Sequence, residues 1–497
     1  MLRLPFGRML TDFQPLKEAE EKILHAVAAG TPAIIGQSRP EPESQACAVR
    51  AEFLRFLALG GDADAPVHEK GIIVQGAWIT GTLDLSDTEI GRALIFRNCR
   101  FAAAPRLYDA NVRGFLSWEG CALPGLKADR LQCRSGLYLR GGFEAEGEVR
   151  LRGAKIGGNL DCSESKFENA NGFAVNAEGM FVSGVFIFRD VTITRGSINL
   201  GFAQVARLLD DLTSWPQGIV LNGFVYNGFI GQASTRAEER LQWLDKQSPE
   251  HSGKAKNPRE FRPQPWQQLR KVLHDDGHYE DARRVAIEFE NRKRFCGVIG
   301  ETPPRPKFQG QTKSLRQIIA FTAQWFVFGA KWIPSCIVRF FHWIYGLAFG
   351  YGYRPLRLLG IVVAFWFLST GVFCLAAQNN LFVPSDPAHI GLLEKPAFDA
   401  CNPDKTPSGN WTSCTSLPPN YPGFHSLVYA LDVMLPITKL GQEDHWTLID
   451  PRKAKTTFAR DLAWFTRIWA WIGTLFSWGV GAMILATFTN LLKRQDE

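Results

Sequence analysis

Between residues 72 and 230, small or apolar residues come in pairs two apart, and the pairs follow one another every five or six positions. They run Ala77/Ile79, Leu83/Leu85, Thr88/Ile90, Leu94/Phe96 and Cys99/Phe101, then Val149/Leu151, Ala154/Ile156, Leu160/Cys162 and Ser165/Phe167. Phe186/Phe188, Val191/Ile193, Ile198/Leu200 and Ala203/Val205 continue the series. That interval fits neither the 3.6-residue turn of a helix nor the plain alternation of a strand meander. It fits a chain that turns a corner every five or six residues, so that each coil buries its face on its neighbours. Gly76, Gly81, Gly91, Gly114, Gly136, Gly153, Gly158, Gly184 and Gly196 fall at corner positions. Four corners per coil predict roughly six to eight coils and, with strands about 4.8 Å apart, a rod on the order of 35 Å long. An irregular β-sandwich is the competing architecture for the same residues.

A solenoid's open edges must be covered, or they pair with other chains. Leu16 to Ala29 and Ala46 to Leu59 show helical apolar spacing, the second stopped by Gly60-Gly61, and Thr235 to Lys246 offers a helix at the other end. Pro265 to Arg294 reads as two helices around Gly277, with one apolar stripe through Trp266, Leu269, Val272 and Leu273 and another through Ala282, Val285, Ala286 and Phe289. It resembles a single tetratricopeptide-type hairpin. Its cations Arg283, Arg284, Arg292, Lys293 and Arg294 read either as contacts for anionic lipid headgroups, at about 1 kcal/mol each near a surface, or as a solvated face.

The second half changes character. Leu358 to Ala377 and Ile468 to Leu492 carry no charge, and about 20 apolar residues suffice to cross a bilayer core. Ten of the 15 Trp lie after residue 320, where amphipathic rings favour headgroup depth. Met1 to Phe13 has no apolar run of signal-peptide length, so the N-terminus is expected in the cytoplasm. Arg339, Arg354 and Arg357 before the first span, and Lys493 and Arg494 after the second, place both termini inside and an outer loop at 378–463. Arg452, Lys453, Lys455, Arg460 and Arg467 on the outer side oppose that orientation. Leu315 to Phe349 is apolar but broken by Lys331, Pro334, Arg339 and His342, and is expected as interfacial helices; a third span there would invert the topology.

Cys401 and Cys414 are the cysteines of that outer loop and form either a disulfide or two free thiols. Tyr421 to Pro436 is a short apolar helix candidate between the spans, so the order is span, short helix, loop, span, the layout of a two-span ion-channel pore. Phe424, Leu431, Asp432, Leu435, Pro436 and Thr438 make up its pore-like segment. Leu435-Pro436-Ile437-Thr438-Lys439 stands where potassium channels place a carbonyl-lined Thr-Val-Gly-Tyr-Gly filter. Gly473, Ser477 and Gly481, four apart, would allow close helix approach, within the chain or in an oligomer.

Chemistry-bearing motifs are missing. His274 and His278 are four apart but separated by Gly277, and no zinc spacing, phosphate loop, dinucleotide fingerprint or nucleophile elbow occurs. The net charge of +7 is modest, and residues 72–230 carry 16 acidic and 16 basic side chains, which argues against nucleic-acid binding and against DNA mimicry.

Ile79-Thr-Gly-Thr-Leu-Asp-Leu85, Cys99-Arg-Phe101, Pro265-Trp-Gln-Gln-Leu269, Gly350-Tyr-Gly-Tyr-Arg-Pro355, Tyr429-Ala-Leu-Asp-Val-Met-Leu-Pro436 and Leu440-Gly441-Gln442 together resemble bacterial membrane-anchored pentapeptide-repeat-like β-helix proteins, over nearly the whole chain. The resemblance implies a right-handed β-helix, and members often carry the label membrane-associated oxidoreductase. The expected organisation is a helical cap at 1–65, a pentapeptide-like β-helix at 66–231, a helical cap and basic hairpin at 232–314, interfacial helices at 315–353 and a two-span membrane module at 354–497. The expected function is that of a non-enzymatic inner-membrane protein without cofactor. Its cytoplasmic solenoid would bind a partner, and its spans would sit in the lipid bilayer and form a homo-oligomer. An ion-channel-like pore gated by the cytoplasmic domain is the first alternative, an oxidoreductase the second.

Overall fold

The computed structural model describes residues 9–301, 303–306, 315–385, 399–406, 409–418, 421–435, 440–454 and 456–494, with side chains at 315–320 and 486–494 outside the description. The chain divides into two compact units, Met1–Arg339 and Phe340–Glu497.

The first unit is built on a parallel β-solenoid of about seven turns. One side is a continuous ladder in which Ile72 pairs with Leu94, Leu94 with Leu116, Leu116 with Leu137, Leu137 with Leu160, Leu160 with Phe186 and Phe186 with Leu208. Leu208 then bridges to Phe229. Each step advances the chain by 21 to 26 residues, and three further ladders run through Trp78, Leu126 and Glu89. Four sides per turn account for the five-to-six-residue interval in the sequence. The pairing is parallel throughout, so the sandwich alternative falls. Of the paired residues expected inside, Thr88 and Ile193 are only partly buried and the others are buried.

The corners follow a rule the glycines only half reveal. Asp87, Asp109, Arg130, Gly153, Gly179, Phe202 and Gly223 form one column, one residue per turn, with φ between 54° and 80°. Gly76, Asn98, Gly120, Gly141, Glu164 and Asp190 form another, at 49° to 69°. Asp and Asn tolerate this left-handed region best among residues with a Cβ. Gly114 serves a different need: a Cβ there would lie 2.4 Å from the Ala93 nitrogen of the neighbouring turn.

At the first turn, α1 (Glu18–Ala29) and α2 (Ala51–Ala58) pack on the solenoid. Residues Ala48–Arg50, expected as the start of the second helix, instead pair in parallel with Trp78–Thr80 and continue the sheet. Sheet-edge hydrogen bonding outweighs the helical spacing there. The buried Glu20 accepts from Arg50 Nε at 2.8 Å and from its Nη2 at 2.5 Å, tying α1 to that strand.

At the last turn lies α3 (Ala237–Leu244), followed by α4 (Gln264–Asp275) and α5 (Tyr279–Cys296). The hairpin does more than link. Gln264 accepts from the Gly223 N–H and donates to the Phe224 carbonyl, and Gln268 donates to the Tyr226 carbonyl. Side-chain amides of α4 thus satisfy backbone groups of the final turn. Between solenoid and α3, Asp210 receives two bonds from Arg240, at 2.7 and 2.8 Å, and one from Trp215 Nε1 at 2.8 Å. Both members of this ion pair are buried, and the guanidinium carbon lies 3.7 Å from the Phe229 ring centroid.

Where several interfacial helices were expected, one helix, α6 (Leu315–Phe349), runs through Pro334. Ser335 Oγ, just past that proline, donates to the Gly300 carbonyl at 2.7 Å. In the second unit, α7 (Leu356–Gln378) and a final helix, Thr457–Arg494, contain the two uncharged runs, and both are long and apolar enough to cross a bilayer. Between them lie α8 (Ser426–Met434), α9 (Gln442–His445) and an antiparallel pair, Phe382–Pro384 with Trp446–Leu448. The final helix is α10.

Candidate functional site

The short helix between the two apolar helices is the best-organised polar site of the second unit. The apolar sequence Ser426 to Met434 forms α8, which packs on both α7 and α10. Tyr429 meets Phe373 and Phe382 edge-on, each at 4.9 Å, and Phe424 stacks against Phe382 at 4.5 Å. Trp366 Nε1 of α7 donates to the Leu427 carbonyl at 2.9 Å. On the other side, a Cβ at Gly473 would lie 3.3 Å from Val433 Cγ1, so this glycine is what lets α10 approach α8.

One charge sits inside this apolar frame. Asp432 is buried, and its carboxylate accepts the backbone N–H groups of Leu440, Gln442 and Glu443, each at 2.8 Å. Burying a carboxylate is tolerable only with such saturation by donors. Gln442 completes the bracket: its side chain accepts from the His425 N–H at 3.0 Å and donates to the Gly423 carbonyl at 3.0 Å. Residues 440–443 are thereby fastened to both ends of α8, and the chain that leaves the helix at Leu435 is returned beside it.

Of the pore-like segment, Phe424 is half-buried against the core, Leu431 is half-buried, Asp432 is the acceptor just described and Leu435 is exposed. Pro436 and Thr438 lie outside the described residues. In the sequence Gln442 stands out only as part of Leu440-Gly441-Gln442; the signal for its partner is an aspartate within an otherwise apolar helix.

Of the span-packing residues, Gly473 touches α8, whereas a Cβ at Gly481 would meet nothing within 4 Å. Ser477 Oγ is buried with no hydrogen-bond partner among the described residues. The contact between α7 and α10 is made instead by Phe365 stacking on Trp469 at 5.3 Å and on Phe476 at 4.3 Å, and by Trp469 Nε1 donating to Ser369 Oγ at 3.0 Å.

Cys401 and Cys414 are joined in a disulfide. Near it, Asn410 Nδ2 and the Ala377 carbonyl bond at 3.0 Å, holding the cross-linked loop on the end of α7. The thiols of the solenoid are of another kind: Cys99, Cys121, Cys133 and Cys162 are buried in its interior. Burial pushes Cys121 and Cys162 well up and Cys133 up to about 11, so these three are not ready thiolates at neutral pH. At Cys99 the upward push of burial is outweighed by hydrogen bonding to Cys121 and to backbone groups, which moves the thiol down.

Four of the five cations of the α5 cluster are paired with carboxylates. Arg284 pairs with Glu238 of α3 and reaches Glu280 at 3.6 Å, and Arg283 reaches Glu280 at 3.8 Å. Arg292, mostly buried, bonds Glu288 at 2.7 Å and Asp245 at 3.0 Å and lies over Trp266. Lys293 pairs with Glu290 at 2.7 Å, and Arg294 donates to Asn291 at 3.3 Å. These residues tie α5 to itself and to the α3 segment. His274 meets the Tyr279 ring edge-on, and no group of three or more His, Cys, Asp or Glu placed to hold a metal occurs among the described residues.

No family model, curated protein or solved structure matches this chain.

Proposed function

We propose that the chain is a non-enzymatic protein of the bacterial inner membrane, with both termini in the cytoplasm. Its right-handed, pentapeptide-type solenoid, capped by the end helices, presents a binding surface to a cytoplasmic partner, while α7 and α10 anchor it in the bilayer and associate with other copies. The observation that carries the reading is the outward face of those two helices. Leu356 is 80% exposed, Leu475 72% and Trp478 61%. Apolar helices of this length with so little of their surface covered are stable where lipid replaces water. The solenoid supports the scaffold role through its surface, where charges of adjacent turns pair: Arg113 with Glu89 and Arg130 with Asp109, each at 2.5 Å, and Arg140 with Asp161 at 3.0 Å. Such a surface has no excess field to draw in nucleic acid.

Carbonate-washed membranes are expected to retain the full-length protein, with a phosphatase fused at Lys405 active and a fluorescent protein after Glu497 fluorescent. Release into the wash, or the opposite pattern, would overturn the anchoring or the orientation.

An oligomeric pore is the second reading, favoured by the bracket of Asp432 and Gln442 around α8, which would hold a helix and its return segment rigidly between two spans. A tetramer in detergent together with conductance in planar bilayers would replace the scaffold reading with this one; a silent monomer would remove it. The membrane-associated oxidoreductase reading has no comparable residue set behind it.

A further inference from the structure

With Arg283, Arg284, Arg292 and Lys293 of α5 paired with carboxylates, exposed cations without such partners lie elsewhere. Residues 303–306 read Pro-Pro-Arg-Pro, and three prolines hold that stretch stiff and extended. The segment lies along one stripe of α6, the stripe through Ala323, Gln324, Val327, Phe328 and Lys331. Ser335, one turn further on, fastens the approach to this segment by donating to the carbonyls of Gly300 at 2.7 Å and Glu301 at 3.0 Å. The result is a groove of about 460 Å³ with Val327 and Phe328 in its wall and Arg305 and Lys331 lining it. Both cations are exposed, and neither has an ion-pair partner among the described residues. Trp325 and Trp332 stand exposed on the same helix, as rings do at headgroup depth.

We propose that this groove binds one anionic phospholipid, its phosphate held between Arg305 and Lys331 and its acyl chain laid against Val327 and Phe328. Guanidinium geometry suits phosphate oxygens, and the apolar wall distinguishes a lipid from a free phosphate, which would gain nothing from it. The proposal rests on the membrane reading above and deepens it, placing the headgroup contact on α6 and its strap instead of on α5.

The test is native mass spectrometry of the full-length protein in detergent, titrated with phosphatidylglycerol or phosphatidylcholine. The wild type should retain phosphatidylglycerol preferentially, and R305Q/K331Q should retain it roughly 10- to 30-fold more weakly, as two surface cations would give. R283Q/R284Q should bind as the wild type, and millimolar inorganic phosphate should displace nothing. Equal retention by R305Q/K331Q, an equal loss in R283Q/R284Q, or displacement by phosphate would overturn the proposal. Failure here with the protein still resistant to carbonate leaves the anchoring intact, and lipid retention by a carbonate-extractable protein would fail the anchoring alone.

Discussion

The solenoid and the module of two long apolar helices are inside-out versions of each other. In the solenoid, Leu94, Leu116, Leu137 and Leu160 stack on the axis, and ion pairs between turns such as Arg113–Glu89 and Arg130–Asp109 stand outside. In the module, Leu356, Leu475 and Trp478 face outward while Asp432, Gln442 and Thr466 are buried. One rule, that apolar surface avoids water and buried polar groups must be paired, yields both arrangements if lipid is the solvent of the second, as proposed above. What differs is how each region fails. The solenoid fails by a hole or a lone charge, and the module by an unsatisfied backbone group or a lost close contact.

The largest effect is expected where the solenoid buries a full charge pair. Asp210→Ala leaves Arg240 buried without its partner, which costs about 3–5 kcal/mol. Urea unfolding followed at the far-ultraviolet strand signal should show this loss, and an unchanged midpoint would mean the pair is solvated. Next, Asp432→Ala takes the acceptor from three backbone N–H groups; the space left by the carboxylate admits water to them, which holds the loss to about 1–3 kcal/mol. Hydrogen exchange should then accelerate at Leu440, Gln442 and Glu443 while the solenoid stays protected; slow exchange at those amides would contradict the bracket.

Removing the disulfide with Cys401→Ser/Cys414→Ser opens a loop of 13 residues, worth about 3 kcal/mol. Thermal unfolding in detergent should weaken in the second unit to the same extent as under reductant, and a variant as stable as the wild type would show the cross-link to be dispensable. The smallest effect separates two glycines of one helix. Gly473→Leu should overpack α10 against Val433 and cost about 1–3 kcal/mol, whereas Gly481→Leu should cost the folded chain nothing measurable. An oligomer interface at Gly481 would reverse that order in a detergent dissociation assay.

How much of this was legible in the sequence depends on how local the determinant is. The coil period was legible because each side contributes its own inward pair, and the apolar helices were legible because 20 uncharged residues in a row need no partner to be noticed. Strand Ala48–Arg50 was not, since its pairing to Trp78–Thr80 is decided 30 residues away. The left-handed corners escaped because Asp87, Arg130, Glu164 and Phe202 occupy positions that glycine would advertise. The pairing of the α5 cations was not legible, because two of their partners, Glu238 and Asp245, lie on the α3 segment. Gln264 and Gln268 look like ordinary helix-surface residues until the last turn is set beside them. In the candidate site, Asp432 announced itself, but its ligands are backbone groups, which every sequence has and none displays.

The central claim, that water is the solvent for one region and lipid for the other, can be tested in the membrane itself. A photoactivatable side chain placed at Leu475 should crosslink to phospholipid, and the same group at Arg113 on the solenoid should not. A Leu475 probe that captures no lipid in native membranes would contradict the account.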